Sequence, residues 1–364
     1  MEYKVKIYKK NGYRAFSDKD EDILILKNSP IDIKINKTKT TATGQAQIVA
    51  QFEHLPMASF QGGNNGIIDN FAKLEIYFNN KIQFTGVIKK YEYNELEKTV
   101  NLTCNDMIYR LLNVTDTVIV YENTTAIAII EDIVHRAGLN FYRSGGNDYP
   151  VNKLNISIGT TYLDVIQSFL ETIHGSIRAT KNGEILLEEQ YPDYTEGAGD
   201  VNHFDWTYTS DTNNSSSVAG RDATLMKNLL KINCDNNYDI YEDPSMTSYL
   251  NNEKWLDFIE NTLANTQEKR KAVAGYKFLE MWRNSTPLTI IPKKGNEDVD
   301  IGQVVKLIRN ENTPPGYYLV VGIDTEVSAD GYMDTLQLQG MRDKRTIYKI
   351  PVLLSSGIDK EVNN

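Results

Sequence analysis

Apolar and polar positions alternate through most of the first 115 residues. "MEYKVKIYKK", "DILILKNSPIDIKINK" and "GQAQIVAQFE" alternate or run apolar, and "AKLEIYFNNKIQFTGVI" reads as a hairpin turning at Asn79-Asn80. Asparagine tolerates the left-handed backbone that tight turns require. Val100, Leu102 and Cys104 share one strand face, with Asn101, Thr103 and Asn105 on the other. After Tyr121 the period changes. "NTTAIAIIEDIVHRAGL" places Ala126, Ile127, Ile130, Ile133, Val134 and Ala137 on a helical stripe, with Asn123 or Thr124 as its cap and Gly138 as its end. In "GTTYLDVIQSFLETIHG", Thr161 and Asp164 form a capping-box-like start, and Tyr162, Val165, Ile166, Phe169, Leu170 and Ile173 form the buried stripe. A hairpin turning at Asn182-Gly183 follows.

Residues 193–222 are rich in Gly, Ser, Asn and Asp and read as a linker or loop. "LMKNLLKINCDN" resumes as a strand. A helical segment is expected from Asn252 to about Asn284, and strands again from Leu288 to about Leu338. The pattern also repeats itself. "FTGVIKKYEYNELEKTVNLTCND" and "VVGIDTEVSADGYMDTLQLQG" each carry a glycine (Gly86, Gly322), a polar turn, and a Thr thirteen positions later (Thr99, Thr335). Identity between them is near chance, so the likeness rests on the shared hairpin pattern. Two unrelated meander hairpins would look the same.

Composition narrows the function classes. At 364 residues the chain has room for two to four domains. Its 22 Tyr against 11 Phe and 3 Trp suit strands that are apolar on one side and wet on the other. A net charge of −10 argues against a phosphate-binding surface. No apolar run reaches the ~20 residues needed to cross a bilayer as a helix. The N-terminus shows no secretory apolar region, and synthesis and folding in the cytosol are expected. Cys104 and Cys234 sit in strand-like patterns and read as isolated buried thiols.

The search for chemistry finds no assembled site. His54, His135, His174 and His203 lack partners at zinc-ligand spacing, and His135 and His174 read as helix-end residues. "DNNYDIYED" lacks the glycine and the bidentate Glu of a calcium loop and reads as an acidic turn. Glu188 and Glu189 are neighbours on a strand and point to opposite faces. The "QGGNNG" stretch at 61–66 lacks a following GK[ST], and "QEKRK" reads as a solvated helix face. No catalytic, cofactor-binding or metal residues are assigned.

Four passages together resemble the baseplate hub proteins of contractile phage tails and phage tail-like bacteriocins, in the type found in prophages of Gram-positive hosts. They are "FTGVI" with "LTCNDMIYRLLN", "YENTTAIAIIEDIVHRAGL", "GTTYLDVIQSFLETIHGSIRATKNGEILLEE", and "IPKKGNEDVDIGQVVKLI" leading into "YYLVVGID". Residues 200–285 match no family pattern. The resemblance implies a β-dominated α+β fold with two similar β-barrel-like tube domains in one chain. The expected organisation is 1–117 as the first, 118–192 as a small α+β domain, and 193–222 as a linker. The second tube-type domain is expected at 223–245 and 285–345, with a helical insertion at 246–284 and a C-terminal tail at 346–364.

The resemblance further implies a homotrimer whose ring adapts a six-fold tail tube to a three-fold central spike. Its partners would be tail-tube, spike, tape-measure and baseplate wedge proteins, and its place the baseplate of a particle assembled in the bacterial cytoplasm. Neither an enzymatic role nor a cofactor is implied. Tyr91 and Tyr93 on the first hairpin, and Thr325 and Val327 at the matching place in the second, are the candidate ring contacts. Ordinary half-exposed strand packing would account for them equally. Two other functions stay open: a tail-associated cell-wall hydrolase using 193–285, and a host-carbohydrate-binding tail protein presenting aromatic platforms.

Overall fold

A computed structural model describes residues 2–11, 15–16, 18–27, 30–39, 43–51, 66–190, 204–209, 214–220, 222–285, 287–308, 316–329, 331–340 and 351–358. The chain opens with strands β1 (Tyr3–Tyr8), the short pair β2 (Lys10–Asn11) and β3 (Ala15–Phe16), then β4 (Ile23–Lys27), β5 (Pro30–Thr38), β6 (Gln45–Gln51), β7 (Lys73–Phe78), β8 (Lys81–Asn94) and β9 (Thr99–Asp106). Seven of them pair in the order β5-β6-β9-β8-β7-β1-β4, antiparallel throughout. The alternation dictates which face is covered: Ile33, Ile35, Ile48, Leu74, Ile76, Phe78 and Leu102 lie in one core. The β7–β8 turn falls at Asn79-Asn80, both left-handed (φ 46° and 65°), as a two-residue hairpin needs.

An α/β unit follows: β10 (Ile119–Thr125), α1 (Ala126–Arg136), β11 (Phe141–Arg143), β12 (Pro150–Ile156), α2 (Tyr162–Ile173), β13 (Gly175–Ala179) and β14 (Ile185–Glu189). The two helical stripes read from sequence are its core, with Ile130, Ile133, Ile166, Phe169 and Ile173 fully buried. Thr125, rather than Asn123 or Thr124, caps α1, its hydroxyl accepting from the Ala128 amide. Thr161 accepts from the Asp164 amide at 3.0 Å, as expected. The left-handed residue that ends α2 is His174 (φ 54°), and Gly175 already belongs to β13.

The stretch expected to be linker contains β15 (Trp206–Thr209) and β16 (Asn214–Ala219). Then come β17 (Leu229–Cys234), β18 (Asn237–Glu242), α3 (Pro244–Tyr249), β19 (Leu256–Glu260) and α4 (Gln267–Asn284). The expected long helix is therefore wrong over its first part: Leu256–Glu260 pairs parallel with β17. Its alternating LDFIE pattern suits a sheet, and the last strand β24 (Val352–Ile358), inside the expected tail, pairs on the opposite side with β18. The resulting sheet β19-β17-β18-β24 packs Leu230, Ile232 and Tyr241 against Val273, Phe278 and Leu279 of α4. Thus 229–242 pairs apart from the second tube-type unit to which 223–245 was assigned. "QEKRK" is also not simply a solvated face. Arg270 is buried on Asp239 (Nε–Oδ2 2.6 Å), and this partner holds the Asp239 carboxyl below its ordinary range against the opposing effect of burial.

The remaining strands are β20 (Pro287–Pro292), β21 (Val304–Ile308), β22 (Gly316–Ser328) and β23 (Gly331–Gly340). They pair in the order β16-β20-β23-β22-β21, the same order in which the first unit arranges β5-β6-β9-β8-β7. The correspondence extends to irregularities. The β5–β6 register slips between Pro30 and Asp32, and β16–β20 slips between Asn214 and Ser216, 184 residues on in both cases. The β8–β9 register slips between Ile88 and Lys90, and β22–β23 between Val320 and Gly322, 232 residues on. One five-stranded antiparallel unit, an antiparallel strand pair and a three-stranded meander joined by a crossover, is therefore built twice.

The expected glycine equivalence does not hold in detail. Aligned on the bulges, Gly86 corresponds to Tyr318 and Gly322 to Lys90, so the echo is displaced by four residues. The two glycines also answer different needs. A Cβ on Gly86 would lie 2.2 Å from the Asn105 carbonyl oxygen, whereas one on Gly322 would meet first the Gln337 side chain, which can swing aside. Gly86→Ala is expected to cost about 1–3 kcal/mol as overpacking against backbone. Gly322→Ala is expected to stay within about 1 kcal/mol, both read from denaturant midpoints.

Candidate assembly interface

The two meanders are joined to each other by one pair of strands. β22 is long enough to serve two neighbours: Gly316–Leu319 pairs with β21, and Gly322–Val327 pairs antiparallel with Thr38–Ile33 of β5. One sheet thereby runs through both units. Side chains reinforce the seam. Lys34 pairs with Glu326 at 3.0 Å, and the Asn36 amide donates to Asp324, which also accepts from the Gln337 amide at 3.1 Å.

The corresponding positions elsewhere lack this second strand partner among the described residues. By the bulge alignment, Gly322–Glu326 matches Lys90–Asn94 in the distal half of β8. Among the described residues that stretch pairs only with β9. Likewise β16, the counterpart of β5, ends the sheet and pairs only with β20. Val218 stands on it 69% exposed, a large apolar side chain in a run of Ser and Asn. Each unit thus has the strand that the other uses at the seam, with a single strand partner among the described residues. Unpaired edges of this kind are templates for another chain.

The sheet face turned away from the cores is mainly amide and hydroxyl. Cross-strand register places Thr289, Gln337, Thr335, Asn36, Gln45, Gln47, Asn101 and Thr103 on it. Two of its lysines are matched: Lys34 with Glu326, and Lys90 with Glu92 at 2.6 Å.

No family model and no curated protein matches this sequence. Solved structures do. A tail protein from Neisseria meningitidis MC58 has a TM-score of 0.70 at 13% identity, over 93% of this chain and 96% of that one. The 43 kDa tail protein of prophage MuSo2 from Shewanella oneidensis has 0.67 at 12%, over 93% and 97%. Prophage tail protein gp18 from Listeria monocytogenes EGD-e has 0.56 at 12%, over 96% and 98%. The chain has the fold of phage tail proteins.

Within this tail-protein fold, the four residues expected at ring contacts lie differently. Thr325 and Val327 are buried at the seam inside the chain, Thr325 opposite Ile35 with its hydroxyl on Asp334 at 2.7 Å, and Val327 opposite Ile33. Their own chain covers them, so they are not open to a neighbour. Tyr91 packs partly into the first core. Tyr93 is 40% exposed on the distal half of β8, and it, not Tyr91, is the counterpart of Thr325. The β16 edge escaped sequence reading because "NSSSVA" has loop composition, and only its pairing with "PLTIIP" reveals a strand.

The other singled-out groups have structural partners. His174 contacts the Ala272 carbonyl across to α4, and His135 stands in the last turn of α1. His54, His203 and most of "QGGNNG" lie outside the described residues. Cys104 and Cys234 are buried and unbridged. Asp243 caps α3 and accepts from the Trp282 indole at 2.8 Å, so this carboxylate of the 193–285 region is engaged by its own fold.

A buried polar joint fixes the α/β unit against both meanders. Lys39, at the end of β5, is 2% exposed and pairs with Glu188 of β14, to which Arg178 of β13 also donates at 3.3 Å. Asp300, before β21, faces Arg178 at 3.7 Å and Lys37 at 3.6 Å. Lys181 donates to the Glu297 and Val299 carbonyls. Burial lowers Lys39 despite the attraction of Glu188, and burial with Lys37 brings Lys181 down to about 8. Asp106 accepts from the Gly44 and Ile108 amides, yet burial raises its carboxyl to about 7.

Lys39→Met is expected to cost about 3 kcal/mol or more, measured by urea unfolding, because Glu188 loses its buried cation. Asp106 gives a pH signature. Its folded pKa lies above the unfolded one, so its contribution is fully present below the unfolded value of 3.8 and is lost as pH rises toward about 7. Asp106→Asn is expected to flatten that part of the stability profile.

Proposed function

We propose that this chain is a structural, non-enzymatic hub of a contractile phage-type tail. Three copies form a closed ring of six similar β units, which joins a six-fold tail tube above to a three-fold spike below. The observation that carries the reading is the duplicated meander. A trimer whose every chain supplies two like units in one continuous sheet presents a six-fold repeating rim while keeping three-fold symmetry. The tail-protein fold and the near-complete coverage of both chains by the match support the same reading.

The sheet's neutral polar face suits the wall of the central passage. Amides and hydroxyls, with Lys34 and Lys90 each paired to a carboxylate, weaken the hold of that stretch on a moving polyanion, and the net charge of −10 per chain acts in the same sense. Tail-tube and spike proteins would sit on the two rims, with the tape-measure and wedge proteins as further neighbours in a baseplate assembled in the bacterial cytoplasm.

Light scattering on the purified full chain tests the stoichiometry. A mass three times that of the chain is expected, and a monomer that persists on concentration contradicts the ring. Incubation with peptidoglycan tests the enzymatic alternative: no soluble fragments are expected, and their release would assign a hydrolase.

A further inference from the structure

A second irregularity in β8 leads to a polar cavity. Opposite Ile76 and Tyr77 the strand sets Phe84 and Ile82, so Gln83 is the extra residue of a bulge. A bulge re-aims the side chain it carries. Gln83 ends 4% exposed, and its amide nitrogen Nε2 lacks a hydrogen-bond partner among the described residues. The cavity it lines, of about 20 Å³, lies where β8, the β13–β14 hairpin and the segment before β21 meet. We infer that this cavity is a binding site for one small monatomic anion of the chloride class, held by the Gln83 amide and by Lys37, Arg178 and Lys181.

Three observations carry the assignment, and none depends on the ring. The first is the balance of donors and acceptors. Beside the Gln83 amide, Lys181 spends two of its three N–H groups on the Glu297 and Val299 carbonyls. The carboxylates on the wall are already engaged. Asp106 takes the Gly44 and Ile108 amides, and Asp300 faces Lys37 at 3.6 Å and Arg178 at 3.7 Å. A water needs acceptors for its own hydrogens, whereas an anion only accepts. The second is charge. Three cations on the wall meet Asp300 and Asp106, and burial raises the Asp106 carboxyl to about 7, so it is neutral at lower pH. Asp298 and Asp334, which also act on Lys181, are held by Lys81 and by the Thr325 hydroxyl and Asn296 amide. A buried excess of positive charge is costly unless an anion accompanies it. The third is size. The volume admits one or two water-sized species, which suits a halide better than a phosphoryl group. The ion would tie the first β unit to the α/β unit at the joint that Lys39 and Glu188 also hold.

Urea unfolding of the purified full chain in sodium chloride, bromide or gluconate at one ionic strength tests the site, gluconate being too large to enter. The pH is set at about 6, where Asp106 (about 7) is mostly protonated and Lys181 (about 8) is charged. Chloride and bromide are expected to raise the folded-to-unfolded ratio above its gluconate value along a saturating curve. The gain should be about tenfold when the halide stands at about ten times its dissociation constant. Gln83→Met and Lys181→Met, which remove a donor and a cation at similar volume, should each lose most of that gain. A bromide soak of crystals of the natural chain supplies a reading that no variant's folding can spoil: an anomalous peak is expected beside Gln83. Ordered water there in place of bromide overturns the proposal. So does a halide gain that never saturates or survives both substitutions, which is a general salt effect. A peak in the crystal without any gain in solution marks binding at crystal concentration only, and overturns it as well.

Discussion

A strand's backbone donors and acceptors must be paired, by its own chain, by another chain or by water, and a long flat edge left to water invites a neighbour. This constraint organises the molecule. Two meanders of the same design lie in one chain, and β22 is extended past its local partner β21 so that its second half reaches β5. A single sheet results, covered by apolar cores on one side and presenting amides and hydroxyls on the other. Among the described residues β16 and the distal half of β8 have one strand partner each, β20 and β9, where their counterparts β5 and β22 have two.

The inserted units are tied to this sheet by charge as well as by packing. The Lys39–Glu188–Arg178 cluster and Asp300 draw residues from β5, the β13–β14 hairpin and the segment before β21 into one joint. A buried cluster of this kind adds little net stability compared with apolar packing, yet breaking it strands a charge. It therefore acts as an orientation device, holding the α/β unit in one place relative to the sheet. The Arg270–Asp239 pair does the same for α4 on its own four-stranded sheet.

Much of this was legible in the sequence where local rules operate. The Asn79-Asn80 turn, the Thr161 cap and the stripes of α1 and α2 are where periodicity and turn chemistry placed them, because each depends on residues within a few positions. Long-range pairing was not legible. The β17–β19 and β18–β24 partnerships join segments far apart in the chain, β19 lying within a stretch that continues into the α4 helix, and β16 is polar enough to pass for linker. The echo around Gly86 and Gly322 pointed to a true duplication through a displaced alignment, since sequence shows the hairpins but not the bulges that fix their equivalence. Thr325 and Val327 were likewise on a seam, though one inside the chain.

Backbone hydrogen exchange on the purified full chain addresses the central claim most directly, because it reads the edges themselves. Amides at 89–94 and 214–220 are predicted to be protected to the degree of those at 33–38, whose strand is paired on both sides. Exchange at those two edges as fast as in solvent-exposed loops, alongside a protected 33–38, would show that the edges meet no neighbour and would contradict the account.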